Sequence, residues 1–408
     1  MAVPRSSTSI QAMSTPFLRR SFSLTPLLLA AALVACGGGD DDPATPEQPP
    51  ENSAPGALLS GSMVNTITPA QITQAFKDPE SHIQGGIVPR YSVSSYRLNY
   101  VTTDKNGAKV TASGLVSVPV KAAGARSPVL SYQHASTFRN NQAPSIKVEA
   151  VEPPLVLASL GYIVVSPDYV GFGASYGVEH PYLTSSPSSR AVIDMLSAAQ
   201  TWRRQAGVVD NGQLFLAGYS EGGYATMATH RAIHQQGGEL KTQLQAAVPG
   251  AGPYDVQETL DEQLDRVRKL FPPLALLIDP DHLSDASESV RNEVRRLLLR
   301  QMVPEDGDVR YQTLFMDRFL ADDKAGIAAE HSVHLGWAPS VPVYLFHGRG
   351  DLTVPYSAAE SARDTLRAAG APDVTLTDCT TPKFGHLDCV PEYFRFAVDR
   401  MGRLAKDL

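Results

Sequence analysis

Basic side chains are in the minority in this chain: 35 Lys and Arg stand against 42 Asp and Glu, a formal charge of −7. An anionic surface does not suit a polyanion, so nucleic acid is excluded as a partner. Long apolar runs are lacking too, and the most apolar stretch, 24–34, is too short to span a bilayer. No internal repeat occurs, which leaves one domain, with room for an insertion, from about residue 57 onward. No helical H-E-x-x-H accompanies the pairs His230/His234 and His331/His334, so no metal is expected and these histidines are expected at the surface. What is abundant is ordinary globular material. With 43% hydrophobic and 19% charged residues, 408 residues can bury a large core, and disorder or a fibre is excluded for most of the chain.

The short apolar run explains itself through its flanks. Arg19 and Arg20 precede it, and Leu33-Val34-Ala35-Cys36 closes it, as in a signal peptide over residues 1–35, with Met13 as an alternative start. That closing sequence resembles the lipobox of bacterial lipoproteins, which implies acylation of Cys36. By the same resemblance Gly37, in place of Asp, points to the outer membrane. The alternative is export without lipidation. Without residues 1–35, which carry Arg5, Arg19 and Arg20 and no acid, the formal charge becomes −10. Residues 36–56 begin with three glycines and three aspartates and continue rich in proline, a composition that cannot pack a core and is expected to serve as a flexible tether. If Cys36 carries lipid, Cys379 and Cys389 are left as an even pair in an oxidising compartment and are expected to form a disulfide, two free thiols being the alternative.

The globular part, 57–408, opens on two β-rich runs, 91–101 and 109–118, joined by Asp104-Lys105-Asn106-Gly107, which reads as an antiparallel hairpin. Short branched apolar runs follow at 128–132, 162–166, 214–217, 246–248 and 341–346, alternating with helix-like segments at 190–206, 224–236 and 358–369. That rhythm predicts an α/β fold, a mostly parallel sheet flanked by helices. Residues 254–339 break the rhythm with helical stretches at 288–302 and 311–320 and read as an inserted helical cap. Its apolar residues Leu270, Phe271, Leu274, Leu276, Leu277 and Ile278 either line an acyl pocket or form the cap's own core.

Chemistry concentrates at Gly218-Tyr219-Ser220-Glu221-Gly222-Gly223, directly after one predicted strand and before a helix. This is G-x-S-x-G in the context that a nucleophile elbow requires. Small residues permit the sharp turn, and the following helix N-terminus favours negative charge near the serine. Asp351 lies in the loop after a late strand, and Gly385-His386 follows further on, so the order is Ser220, Asp351, His386. In that order Asp351 orients His386 and His386 is the general base. The backbone N–H of Glu221 is the first expected oxyanion donor, and that of Ala135, in the loop after the strand at 128–132, the second.

These motifs, with Tyr132-Gln133-His134, Pro167-Asp168-Tyr169-Val170-Gly171-Phe172-Gly173 and His180-Pro181-Tyr182, resemble the α/β-hydrolase superfamily and more narrowly its secretory lipase, lipase A-like branch. The resemblance covers most of residues 60–400. It implies the α/β-hydrolase fold and a serine carboxylic-ester hydrolase, esterase or lipase, with no cofactor. Its substrate would be a small-molecule, lipid or polyester ester, and its only membrane contact the N-terminal lipid anchor. The expected location is the cell envelope, lipid-anchored, or outside the cell. Two departures stand out: Glu221 occupies a position where Gly or Gln is expected, and Ala135 one where a smaller or acidic residue is usual. Asp168 is expected to support the loop near the site. A serine peptidase or acyltransferase uses the same triad, and a hydrophobic-ligand-binding lipoprotein on a relic fold predicts a broken triad geometry.

Overall fold

The computed structural model describes residues 48–51, 53–77, 83, 86–302 and 307–408. The signal peptide, Cys36 and most of the tether lie outside the described residues. Nine strands form one sheet: β1 (Leu58–Ile67), β2 (Val93–Thr103), β3 (Lys109–Pro119), β4 (Ser127–Gln133), β5 (Ile163–Pro167), β6 (Asp210–Tyr219), β7 (Leu244–Gly250), β8 (Val343–His347) and β9 (Val374–Asp378). Their order is β1-β2-β3-β5-β4-β6-β7-β8-β9.

The first part is antiparallel. Strands β2 and β3 pair without a break from Val93↔Pro119 to Thr103↔Lys109. Their turn holds because Asp104 Oδ1 accepts the N–H groups of Asn106 and Ala108 at 2.9 and 2.8 Å, while Gly107 takes φ +82°. Strand β1, which the sequence reading does not anticipate, adds to the outer edge of β2. From β5 to β9 every pairing is parallel. Strand β4 and the inner part of β6 are buried on both faces, which is why they read as continuous apolar runs without alternation.

Helices α1 (Pro69–Ala75), α2 (Pro153–Ala158), α3 (Ser185–Ala206), α4 (Glu221–Gln236) and α5 (Gly238–Gln243) fall before β7. The crossover through α2 leads back from β4 to β5, and the one through α3 then leaps over β4 to reach β6. In such sheets functional groups gather beyond the carboxyl ends of the strands. Ser220 follows β6, Asp351 follows β8 and His386 follows β9, all at that end.

Between β7 and β8 lie α6 (Val256–Leu270), α7 (Pro272–Ala275), α8 (Glu288–Met302), α9 (Leu314–Leu320) and α10 (Lys324–Gly326). Helix α6 buries Val256, Leu260, Leu264 and Val267, spaced four, four and three residues apart so that they share one face. They pack with Val294, Leu298, Phe315 and Phe319 from α8 and α9. The apolar residues that follow correct one side of the expectation, that they form the cap's own core. Leu270, Phe271, Leu276 and Leu277 are exposed, while Ile278 joins the buried cluster and the side chain of Leu274 lies outside what is described. The reason is geometric: α6 ends at Leu270, and its C-cap Phe271 leaves the helical conformation, so the four- and three-residue spacing that keeps one face buried stops there.

After β8 come α11 (Tyr356–Ala368) and the closing α12 (Val390–Gly402). Cys379, just past β9, and Cys389, which caps α12, form a disulfide that closes the segment carrying His386. In the chain-entropy view, closing so short a loop contributes about 2–3 kcal/mol. The double variant C379A/C389A is therefore expected to lose about that much stability, measured by urea denaturation. An unchanged midpoint would show that the loop is held by its other contacts.

Candidate active site

Ser220 occupies a strained turn. It is the residue between the end of β6 and the first turn of α4, with φ +59° and ψ −123°, a region that costs a non-glycine residue on the order of 1–3 kcal/mol. Two hydrogen bonds hold it there: its N–H donates to the Gly250 carbonyl at 2.8 Å, and its own carbonyl accepts from the Tyr224 N–H at 3.0 Å. The neighbouring glycines are needed for close approach. A Cβ on Gly218 or Gly222 would overlap the Gln133 carbonyl oxygen, and one on Gly223 the Gly250 carbonyl oxygen. The elbow thus lies directly on the ends of β4 and β7.

His386 Nε2 is 2.8 Å from Ser220 Oγ, and His386 Nδ1 is 2.6 Å from Asp351 Oδ2. Asp351 is buried, and its other oxygen accepts the N–H groups of Thr353 and Val354 at 2.8 and 2.9 Å. A second buried histidine, His347, reaches Asp351 Oδ2 with Nε2 at 3.3 Å. Burial alone would raise the Asp351 pKa, but the hydrogen bonds and charges of His347 and His386 outweigh it and hold the carboxyl well below its ordinary range. Carboxylate, imidazole and hydroxyl thus form one hydrogen-bonded line.

Three further groups hold the relay, and the sequence reading does not anticipate them. The Tyr219 hydroxyl donates to the His386 carbonyl at 2.7 Å and fixes the histidine segment from below. Gln263, on α6, donates to the carbonyls of Leu352 and Thr353 at 3.0 and 2.7 Å. Arg266, one turn nearer the C-terminus of the same helix, donates to the carbonyls of Asp351 and Leu352. Helix α6 is thus fastened to the loop that carries Asp351.

On the opposite side of Ser220, the Gln133 and His134 carbonyls abut Gly222, which brings the segment with Ala135 against the first turn of α4 and the N–H of Glu221. The buried His134 ring stacks on Tyr169 at 4.2 Å, and its nitrogens face the carbonyls of Ala135 and Asp168 at 2.8 and 3.2 Å. Asp168 is buried and supports this loop, accepting from Ser113 Oγ at 2.6 Å, Ser145 Oγ at 2.5 Å and Ser145 N at 2.8 Å. Glu221 is buried as well, against His180.

The remaining histidine pairs correct the expectation of surface positions. His230, His331 and His334 are buried. His230 packs edge-on against Trp337, while His331 and His334 meet the carbonyls of Leu183 and Tyr254. Among the described residues no group of His, Cys, Asp and Glu is arranged to hold a metal, and no helix is long and apolar enough to cross a membrane.

This sheet order, with Ser220, Asp351 and His386 beyond the carboxyl ends of β6, β8 and β9, is an α/β-hydrolase fold. Residues 141–268, which include Ser220 but neither Asp351 nor His386, match the secretory lipase family. No curated protein matches the sequence. Among solved structures, the rice cell wall degrading esterase LipA from Xanthomonas oryzae superposes with a TM-score of 0.66 at 23% identity, covering 86% of this chain and 100% of that one. Candida antarctica lipase A superposes with a TM-score of 0.53 at 19% identity, covering 85% and 81%. The expected resemblance to the secretory lipase branch is borne out, and the family match on this fold supports a carboxylic-ester hydrolase.

Proposed function

We propose that the chain hydrolyses carboxylic esters through an acyl-enzyme on Ser220. The observation that carries this reading is the unbroken hydrogen-bonded line from Asp351 through His386 to Ser220 Oγ. Ser220 Oγ attacks the acyl carbon while His386 Nε2 takes its proton, and Asp351 holds the Nδ1 proton of the resulting imidazolium. The N–H groups of Glu221 and Ala135 receive the developing oxyanion. When the tetrahedral intermediate collapses, the alkoxide leaves with the proton from His386. A water then gives a proton to His386 and attacks the acyl group, releasing the acid and restoring the serine. No step needs a cofactor.

Residues 254–339 serve in this reading as a cap over the site, anchored through Gln263 and Arg266. The substrates are small-molecule, lipid or polyester esters, and the enzyme works at the cell envelope, held by a lipid on Cys36, or outside the cell. The test is covalent labelling of the protein lacking residues 1–36 by an alkyl fluorophosphonate, followed by peptide mass mapping. One adduct on the Ser220 peptide, absent from S220A, together with hydrolysis of p-nitrophenyl esters, is the expected result. Hydrolysis without labelling of that peptide would refute the mechanism.

A further inference from the structure

The side chain of Glu221 has no place in the reaction as drawn, which uses only its N–H, yet it is one of the few carboxylates buried in the core. Its Oε1 lies 2.6 Å from His180 Nε2, and both side chains are almost fully excluded from solvent, at 5% and 2%. The other ring nitrogen, His180 Nδ1, is 2.8 Å from the Val170 carbonyl, which can only accept, so Nδ1 carries a proton. One further proton is then shared between Nε2 and the carboxylate, and the pair is neutral as a whole. Burial by itself would raise the Glu221 pKa, but the charge and hydrogen bond of His180, followed by His134 and Ser136, hold it below the usual carboxylate range. A buried carboxylate needs such partners, because leaving it unpaired costs several kcal/mol.

What the pair connects is more informative than its energy. Glu221 is on the elbow, and its partner His180 stacks on Tyr169, whose hydroxyl donates to the His134 carbonyl at 3.1 Å, so the pair reaches both loops whose N–H groups face the oxyanion. His180 in turn is joined to the inserted segment: its N–H donates to the Arg310 carbonyl at 2.8 Å, and its carbonyl accepts from the Gln312 N–H at 2.9 Å. The crevice around the pair, lined in part by Tyr169, Pro181 and Ala225, has no room for a water molecule. With both side chains in place, no solvent molecule fits beside them to share their hydrogen bond.

We propose that His180 and Glu221 act as a buried pair of positioning residues that sets the Glu221 and Ala135 N–H groups at the spacing an oxyanion requires and links that spacing to the inserted segment. The proposal rests on the serine reading above. Loss of one oxyanion donor costs about 10²–10³ in turnover, and misplacement by about 1 Å is nearly as damaging. Oxyanion donors act in the transition state, so the loss should fall on kcat and leave KM in place.

The test uses H180A, E221A, E221Q and Y169F with a p-nitrophenyl ester, together with inhibition by an alkylboronic acid, whose serine adduct is a tetrahedral anion. The alanine variants at 180 and 221 are expected to lose about 10²-fold in kcat with KM within threefold, and to bind the boronic acid weaker by the same factor. E221Q, whose amide can donate to an unprotonated His180 Nε2, should recover about tenfold of that loss. If the alanine variants do not fold, Y169F decides, since it removes the hydroxyl that ties the pair's neighbour to the oxyanion loop and should lower kcat and boronic acid affinity together. Folded variants that melt earlier but keep kcat and boronic acid affinity would overturn the proposal, as would an unaffected Y169F where the others fail to fold. S220A is measured alongside. Activity in S220A defeats the serine reading itself, whereas an inactive S220A beside unaffected variants at 169, 180 and 221 defeats only the role of the pair.

Discussion

Replacing Ser220 by alanine is expected to lower turnover of p-nitrophenyl esters by about 10⁴–10⁶, with folding unchanged. The size follows from what the substitution removes and what it leaves. Without Oγ there is no acyl-enzyme, so the two easier steps revert to one direct attack by water. His386 and the backbone donors remain, which is why a residual rate above the uncatalysed one survives. Folding is expected to hold because Oγ gives up its hydrogen bond to His386, while the backbone at 220 keeps its bonds to Gly250 and Tyr224. Relief of a non-glycine residue from φ +59° is not expected, since alanine is no freer there than serine. H386A should be nearly as inactive, and S220A/H386A no worse than either single variant, because the two groups act as one unit. Initial rates beside circular dichroism of each variant make the comparison. Additive losses in the double variant would mean that Ser220 and His386 act separately.

The parts of this site that could be read from the sequence are those that local geometry imposes. A strand that must turn sharply onto the ends of its neighbours can tolerate only glycine at 218, 222 and 223, and so the elbow is written in consecutive residues. Asp351 and His386 are legible for a similar reason, since each lies in the loop after a strand and their order is a property of the chain. The parallel strands are visible because a strand buried on both faces reads as an apolar run. Strand β1 is not visible: it lies at the edge, with Met63 and Val64 exposed, and it carries neither a run nor an alternation. Long-range partners are hidden in the same way. Nothing in the spacing of 180 and 221 brings His180 to Glu221, or Gln263 to the carbonyl of Leu352, since both contacts depend on how distant segments pack. One signal was available, however. A glutamate in the first turn of a helix whose start must be buried needs a donor to receive it, and a histidine in a nearby motif is a natural source.

Asp351→Asn separates the geometry of the relay from its charge, and about a 10⁴-fold loss in kcat is expected. The asparagine Oδ1 can still accept from the Thr353 and Val354 N–H groups, so the loop should keep its shape. The amide nitrogen then faces His386 Nδ1 and can only donate, which forces Nδ1 to accept and moves the imidazole proton to Nε2. In that tautomer the nitrogen 2.8 Å from Ser220 Oγ no longer accepts the serine proton. The same variant has a signature in stability. In the unfolded chain Asp351 takes up a proton in the ordinary carboxylate range, about pH 4, whereas in the folded protein it holds out to well below that. Its contribution is therefore complete above the ordinary range and declines as pH falls from there through the folded value, where the unfolded state binds more protons. Urea denaturation of the parent between pH 3 and pH 7 should show this decline, and D351N should show a shallower one. A variant with normal turnover would remove Asp351 from the relay, and equal acid slopes would mean that its carboxylate is not the one the folded state holds ionised.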